Sequence, residues 1–114
     1  MKVTATAIAL AAMVVSFPAA ADTWSGAYSA TIQSTYSDGR TAKVYVEPDH
    51  SYSVLLPDGT KLAGTWADAN AQSCFTLNGT TKPTCFPAKD YKVGDHFAGE
   101  DGSGKFTAVI VEGR

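Results

Sequence analysis

Two Asp-His pairs, Asp49-His50 and Asp95-His96, contain residue types that commonly bind zinc. If the two segments met in space, two imidazoles and two carboxylates could complete a tetrahedral site. Their spacing follows no ligand motif, however, and adjacent residues of a strand point to opposite faces of a sheet. Asp and His are also ordinary turn residues at 49–50. We therefore expect no metal at these positions.

No sequence motif indicates any other kind of catalytic site. Serines and threonines are plentiful, but no nucleophile elbow surrounds any of them. Gly102-Ser103-Gly104 is a turn rather than a phosphate-binding loop, because no helix follows it. The Asp-Gly pairs at 38–39, 58–59 and 101–102 lack the alternating acidic ligands of a calcium loop. The sequence therefore indicates no catalytic residue and no cofactor.

Aromatic side chains are frequent, with five tyrosines and two tryptophans. Tyr52 and Trp66 share the phase of neighbouring aliphatic residues, which predicts that both pack in the core. Tyr45 has the opposite phase to the valines on either side of it, and it shares that phase with Lys43. Lys43 and Tyr45 are thus a candidate surface for binding a partner or a glycan. The alternative is cross-strand aromatic pairing on the solvent face.

Cys74 and Cys85 are the only cysteines in the sequence. In an exported chain they can oxidise, and a bond between them would contribute roughly 3 kcal/mol of stability. A hairpin with its loop at 78–81 sets Cys74 opposite Cys85 and Thr76 opposite Pro83, both in non-hydrogen-bonded pairs. This register predicts an intramolecular disulfide between adjacent strands. The residues predicted to be buried on the opposite face are Phe75, Leu77 and Phe86.

The start of the chain has the pattern of a secretory signal peptide. Lys2 precedes an apolar stretch over 3–15, and the small-residue run Ala19-Ala20-Ala21 follows. The stretch is too short to cross a bilayer, which takes about 20 apolar residues. We therefore expect residues 1–21 to be removed. Residues 22–114 would form a single β domain without a membrane span, located in the periplasm or secreted.

The charge of the chain excludes one class of partner. Without the leader, eight basic residues stand against eleven acidic ones, which gives a net charge of −3. The basic residues are scattered singly along the sequence. Nucleic-acid binding requires clustered positive charge, so we expect no nucleic-acid partner.

The remaining sequence reads as short strands separated by turns, with no persistent helical periodicity. Gly64 lies inside one of these strands and would leave room for a neighbouring aromatic ring to cross it. Because every connection is short, consecutive strands should pair antiparallel. The predicted fold is all-β: a small up-and-down meander of about eight strands, curled or closed into a barrel, with one disulfide. The predicted strands cover 24–33, 41–46, 51–56, 60–66, 72–77, 82–86, 95–99 and 105–111.

Three short motifs carry a resemblance to known proteins. Gly64-Thr65-Trp66, Cys74-Phe75-Thr76 and Cys85-Phe86 together resemble a group of small exported proteobacterial β proteins with a G-T-W…C-F-T…C pattern, which implies no particular activity. The G-x-W strand is also similar to that of lipocalin-like barrels. With the disulfide, it is similar to that of periplasmic metalloprotease inhibitors. Those inhibitors insert an N-terminal segment into the protease cleft, a role that would fall here to Asp22-Thr23.

These observations lead to one preferred function and two alternatives. We expect an exported, non-enzymatic β domain that binds a protein, an envelope component or a small apolar ligand. The first alternative is an inhibitor of a secreted hydrolase. The second is a small hydrolase or metal-dependent enzyme.

Overall fold

The computed structural model describes residues 23–114, in which the chain forms strands and turns. The predicted leader and Asp22 lie outside the described residues. No helix within residues 23–114 is long and apolar enough to cross a membrane. Eight strands follow one another along the chain: β1 (Thr31–Tyr36), β2 (Thr41–Val46), β3 (Ser51–Leu55), β4 (Lys61–Ala69), β5 (Gln72–Leu77), β6 (Thr84–Pro87), β7 (His96–Asp101) and β8 (Gly104–Val111).

All eight strands belong to one antiparallel sheet with the order β6-β5-β4-β3-β2-β1-β8-β7. Pairing of β1 with β8 joins the first and last strands, with Ile32 opposite Ile110. The free edges of β6 and β7 approach each other, so the sheet curls into a nearly closed barrel. The prediction of an all-β antiparallel barrel of about eight strands is confirmed.

The predicted position of the first strand is wrong. Apart from an isolated parallel bridge between Gly26 and Lys92, residues 23–30 form turns, and continuous strand pairing starts at Thr31. At the first of these turns the Ala27 amide donates to the Trp24 carbonyl oxygen at 2.8 Å. The turns bring the Trp24 indole into the end of the barrel. Burying so large an apolar ring stabilises this path more than a few extra residues of strand pairing would.

Aromatic rings fill the interior of the barrel. Trp24 is fully buried and lies parallel to Tyr91, with 4.3 Å between ring centroids. Phe75 approaches Trp24 edge-on at 5.3 Å. Tyr52 and Trp66 are buried as predicted. The protein's own side chains therefore occupy the centre of the barrel.

Gly64 has the role that the sequence predicts, because an aromatic ring crosses the strand at this point. A Cβ added to Gly64 would lie 2.7 Å from Cε1 of Tyr52 and 2.3 Å from the Thr76 carbonyl oxygen. The Tyr52 ring also meets Phe75 edge-on, with 4.9 Å between centroids. The missing side chain at Gly64 thus lets β3, β4 and β5 pack closely around one phenol ring.

Replacing Gly64 with alanine is expected to lower the free energy of unfolding by about 1–3 kcal/mol, because the new methyl group overpacks the interior. Gly102→Ala is the matched control: its added Cβ meets nothing within 4 Å. The control should stay within about 0.5 kcal/mol of the wild type. Urea denaturation of the two variants measures the difference, and equal stabilities would contradict the packing described for Gly64.

The predicted register of the cysteine hairpin is confirmed. Cys74 lies opposite Cys85 and the two form a disulfide. Ser73 lies opposite Phe86, also as predicted. Phe75 and Phe86 are buried, and the partly buried Leu77 packs against the same core.

The strand after the hairpin loop is displaced from its predicted range of 82–86. Pairing between β5 and β6 begins at Phe75 and Thr84 and continues to Pro87. Thr80 donates both its amide and its hydroxyl to the Leu77 carbonyl oxygen, at 3.1 and 2.7 Å. This tight turn ends the ladder early, so β6 is a four-residue edge strand.

Candidate functional site

The outer face of the barrel carries a hollow across β1, β2 and β3, with a volume of about 430 Å³. Lys43 is the one charged residue among those that line it. Polar side chains of β1 and β2 form one side, and apolar residues at the end of β3 form the other. We call this surface the Lys43 hollow, and its lining residues are Gln33, Ser34, Thr35, Thr41, Ala42, Lys43, Leu55, Leu56 and Pro57.

Strand alternation places the polar side chains on this face. Along β2, Ala42 and Val46 are buried inside the barrel, whereas Lys43 between them is exposed. The β1–β2 register sets Gln33 directly opposite Lys43 and brings the neighbouring Thr35 opposite Thr41. On β3, Leu55 lies opposite Lys43 from the other side. Amide, hydroxyl, ammonium and aliphatic groups are therefore adjacent on three neighbouring strands.

Tyr45 shares this face but is half-buried. The Arg114 guanidinium lies over its ring, 5.4 Å from the ring centroid. Arg114 is held there by Glu47, with 2.5 Å between Nη1 and Oε2, and by the Val46 carbonyl oxygen at 2.8 Å. One face of the Tyr45 ring is thus occupied by the protein itself. Lys43 is the member of the predicted pair that borders the hollow.

A second hollow, of about 370 Å³, continues from the first across β1, β8 and β7. The two share Thr35. Thr107 lies opposite Thr35 in the β1–β8 register, and Ala98 lies opposite Thr107 in the β7–β8 register. Lys105 borders this hollow and lies opposite Glu100. A strip of small hydroxyl and methyl side chains therefore runs between Lys43 and Lys105.

The two histidines lie on different elements. His50 is in the turn between β2 and β3, where its ring stacks on Trp66 with 4.1 Å between centroids. His96 begins β7, opposite Val109. Among the described residues, no group of three or more His, Cys, Asp or Glu side chains could hold a metal ion. The expectation that these histidines bind no metal stays a prediction.

Burial and Asp101 both raise the pKa of two phenols, the partly buried Tyr36 and the buried Tyr52. The Tyr36 hydroxyl donates to Oδ2 of Asp101 at 2.7 Å. Burial, together with that hydrogen bond, holds the pKa of Tyr36 well above its usual range. Burial also raises the pKa of Tyr52 to about 12, with a further contribution from the negative charge of Asp101. Asp101 is therefore hydrogen-bonded to Tyr36, and its charge raises the pKa of both phenols.

The raised pKa of Tyr52 predicts a loss of stability in alkali. An unfolded tyrosine titrates near pKa ~10, so above that pH the folded state binds the Tyr52 proton more tightly than the unfolded state does. The contribution of the Tyr52 proton to the free energy of unfolding is complete below pH ~10. It is lost as the pH rises through the folded pKa of about 12. Urea denaturation at about pH 8 and about pH 11 measures how far the free energy of unfolding falls between the two. The fall should be smaller for Tyr52→Phe than for the wild type. Equal drops in both would contradict this assignment.

Sequence reasoning found Lys43 but missed its neighbours in the hollow. Gln33 and Thr35 have the same alternation as Lys43, yet the predicted first strand stopped at Gln33 and left Thr35 outside it. Their proximity to Lys43 depends on the β1–β2 register. The short turn at 37–40 is the signal that could have set this register.

Comparison with known proteins adds no relative: no protein-family model matches the chain, and no match is found among curated proteins or solved structures. The resemblances indicated by the sequence motifs stay hypotheses. Function is therefore inferred from the geometry of residues 23–114.

Proposed function

We propose that the protein is an exported, non-enzymatic binding domain that docks a protein or an envelope component on the Lys43 hollow. The observation that carries this proposal is the hollow itself, a concave surface of about 430 Å³ on three neighbouring strands. Binding sites of this kind combine an apolar border with a few polar groups that fix orientation. Leu55 and Pro57 supply the border, and Gln33, Thr41 and Lys43 supply the polar groups.

The chemistry of the hollow indicates what its partner presents. Lys43 has no acidic neighbour among the lining residues, so its ammonium group favours a carboxylate or another anionic group. The Gln33 amide and the hydroxyls of Thr35 and Thr41 can donate and accept hydrogen bonds. A partner with an anionic group beside hydrogen-bonding groups therefore fits this surface.

The alternatives have less support. An inhibitor acting through its N-terminus needs a free segment ahead of the barrel, yet Thr23 and Trp24 are buried. The Thr23 hydroxyl donates to Asp68 at 2.6 Å, which anchors the segment further. For an enzyme, no described arrangement joins either histidine to an oriented nucleophile.

Lys43→Glu is expected to reduce capture of the partner about tenfold or more, because charge reversal places like charges across the interface. The measurement uses immobilised, processed protein incubated with periplasmic extract, with bound partner quantified by mass spectrometry. Lys82→Glu is the control, since it makes the same charge change at an exposed position in the β5–β6 loop. Equal capture by the two variants would contradict docking on the hollow.

A further inference from the structure

One end of the barrel exposes its inner wall. Antiparallel pairing brings the ends of the odd-numbered strands and the starts of the even-numbered strands to this end. Leu62 lies in one cross-strand row with Val54 and Val44, on the same face as the buried Tyr52. Its side chain is nevertheless 38% exposed. The barrel is therefore open to solvent at Leu62.

Leu77 contributes a second apolar group to this opening. It has the same alternation as the buried Ser73 and Phe75 of β5, so it faces inward. In the β4–β5 register it lies opposite Gly64, directly beside the Tyr52 ring. We call this end of the barrel the mouth and define it by Tyr36, Val54, Leu62, Leu77 and Asp101.

Asp101 places a carboxylate in the mouth. Asp101 lies two residues after Gly99 on β7, so both face the same side of the strand. A Cβ added to Gly99 would meet the interior rings of Phe86 and Phe106. The Asp101 side chain therefore faces inward. Oδ2 accepts the Tyr36 hydroxyl at 2.7 Å, and Oδ1 accepts the Ser103 amide, also at 2.7 Å. Two neutral donors therefore fix the orientation of the carboxylate.

No cation neutralises this carboxylate: within residues 23–114, Asp101 forms no ion pair. Arg40 lies nearby, with its guanidinium 4.9 Å from the centroid of the Tyr36 ring. It is engaged by Asp38 at 2.6 Å and by the Ser103 carbonyl oxygen at 2.5 Å. A half-buried, oriented carboxylate beside apolar walls favours a cation that carries its own apolar surface.

We propose that the mouth binds a small amphipathic amine, with its ammonium group on the Asp101 carboxylate and its hydrocarbon chain against Leu62, Val54 and Leu77. The site lies inside the barrel, whereas the Lys43 hollow lies outside it. It therefore goes beyond the proposed function, and each can fail without the other.

The test titrates the isotope-labelled, processed protein with octylammonium, octanoate and octanol, three probes with the same hydrocarbon chain, and follows amide resonances by NMR. Octylammonium should bind most tightly and shift signals around Leu62, Leu77 and Asp101. Asp101→Asn should weaken its binding about tenfold or more, because a charge-assisted hydrogen bond is lost. Asp90→Asn, an exposed position at the opposite end of the barrel, should leave it unchanged.

A second variant separates the loss of the carboxylate in Asp101→Asn from any change that this substitution causes in the β7–β8 turn. Leu62→Ser changes an exposed wall residue on β4, outside that turn, and should also weaken binding of octylammonium. Equal binding of all three probes would overturn the role of the carboxylate. Absence of binding, or binding unchanged in both mouth variants, would overturn the site. Capture of a partner through Lys43 is measured separately and is unaffected by any of these outcomes.

Discussion

Trp24→Ala is expected to lower the free energy of unfolding by about 3–5 kcal/mol, among the largest effects of any single substitution in this protein. Trp24 is fully buried, stacks on Tyr91 and donates its indole N–H to Oγ of Ser73 at 2.7 Å. Truncation would leave a cavity at the end of the barrel and a buried hydroxyl without its donor. Urea denaturation with intrinsic fluorescence or circular dichroism measures the loss.

Two controls separate this effect from general sensitivity to mutation. Trp24→Phe keeps an aromatic ring in the cavity and should cost clearly less than the alanine variant. Val93→Ala removes an apolar side chain that is 47% exposed and should change stability by less than about 0.5 kcal/mol. A loss below about 1 kcal/mol in Trp24→Ala would show that the segment 23–30 does not close the barrel as described.

Cys85→Ser is expected to lower the free energy of unfolding by roughly 2–4 kcal/mol. The disulfide closes a loop between residues 11 positions apart and ties the edge strand β6 to β5. Without it, the unfolded chain gains conformational freedom and β6 keeps only a four-residue ladder on one side. Chemical denaturation without reductant compares the variant with the wild type.

The Cys74→Ser/Cys85→Ser double variant controls for the free thiol left by a single substitution. It should lose as much stability as Cys85→Ser alone, and reduction of the wild type should produce the same loss. Titration of thiols in the denatured, unreduced protein checks the bond directly. Two free thiols in protein purified without reductant, or equal stability with and without reductant, would contradict the role assigned to the disulfide.

Much of the barrel was predictable because its signals are local. Alternation along β2, the turn residues at 57–59 and the spacing of Cys74 and Cys85 each specify a short segment without knowledge of the rest. The cysteine pair adds a register, since a disulfide requires its two residues to face each other. These local signals placed Phe75 and Phe86 on the buried side of the hairpin.

What the sequence concealed depends on contacts between distant segments. The region around Trp24 is rich in residues that favour strands, and its position in a turn is set by Tyr91, which lies far along the chain. Likewise, Tyr36 and Asp101 meet because β1 pairs with β8 and β8 with β7. No short-range pattern encodes these pairings, so neither the burial of Trp24 at one end of the barrel nor the mouth at the other was predictable.

The candidate binding surface was predictable in part for the same reason. Alternation along β2 identified Lys43 and Tyr45 as outward-facing. The covering of Tyr45 by Arg114 and the approach of Gln33 and Thr35 to Lys43 both depend on pairings that the strand pattern alone left open.

Site-specific photo-crosslinking tests docking on the Lys43 hollow most directly. A benzophenone amino acid would replace Thr35, at the border of both hollows, and in a second protein Thr76, on the outer face of β5. Irradiation in cells that produce the protein should yield a discrete adduct from position 35, reduced by Lys43→Glu, and none from position 76. An adduct from position 76 alone, or none from either position, would contradict binding through this face.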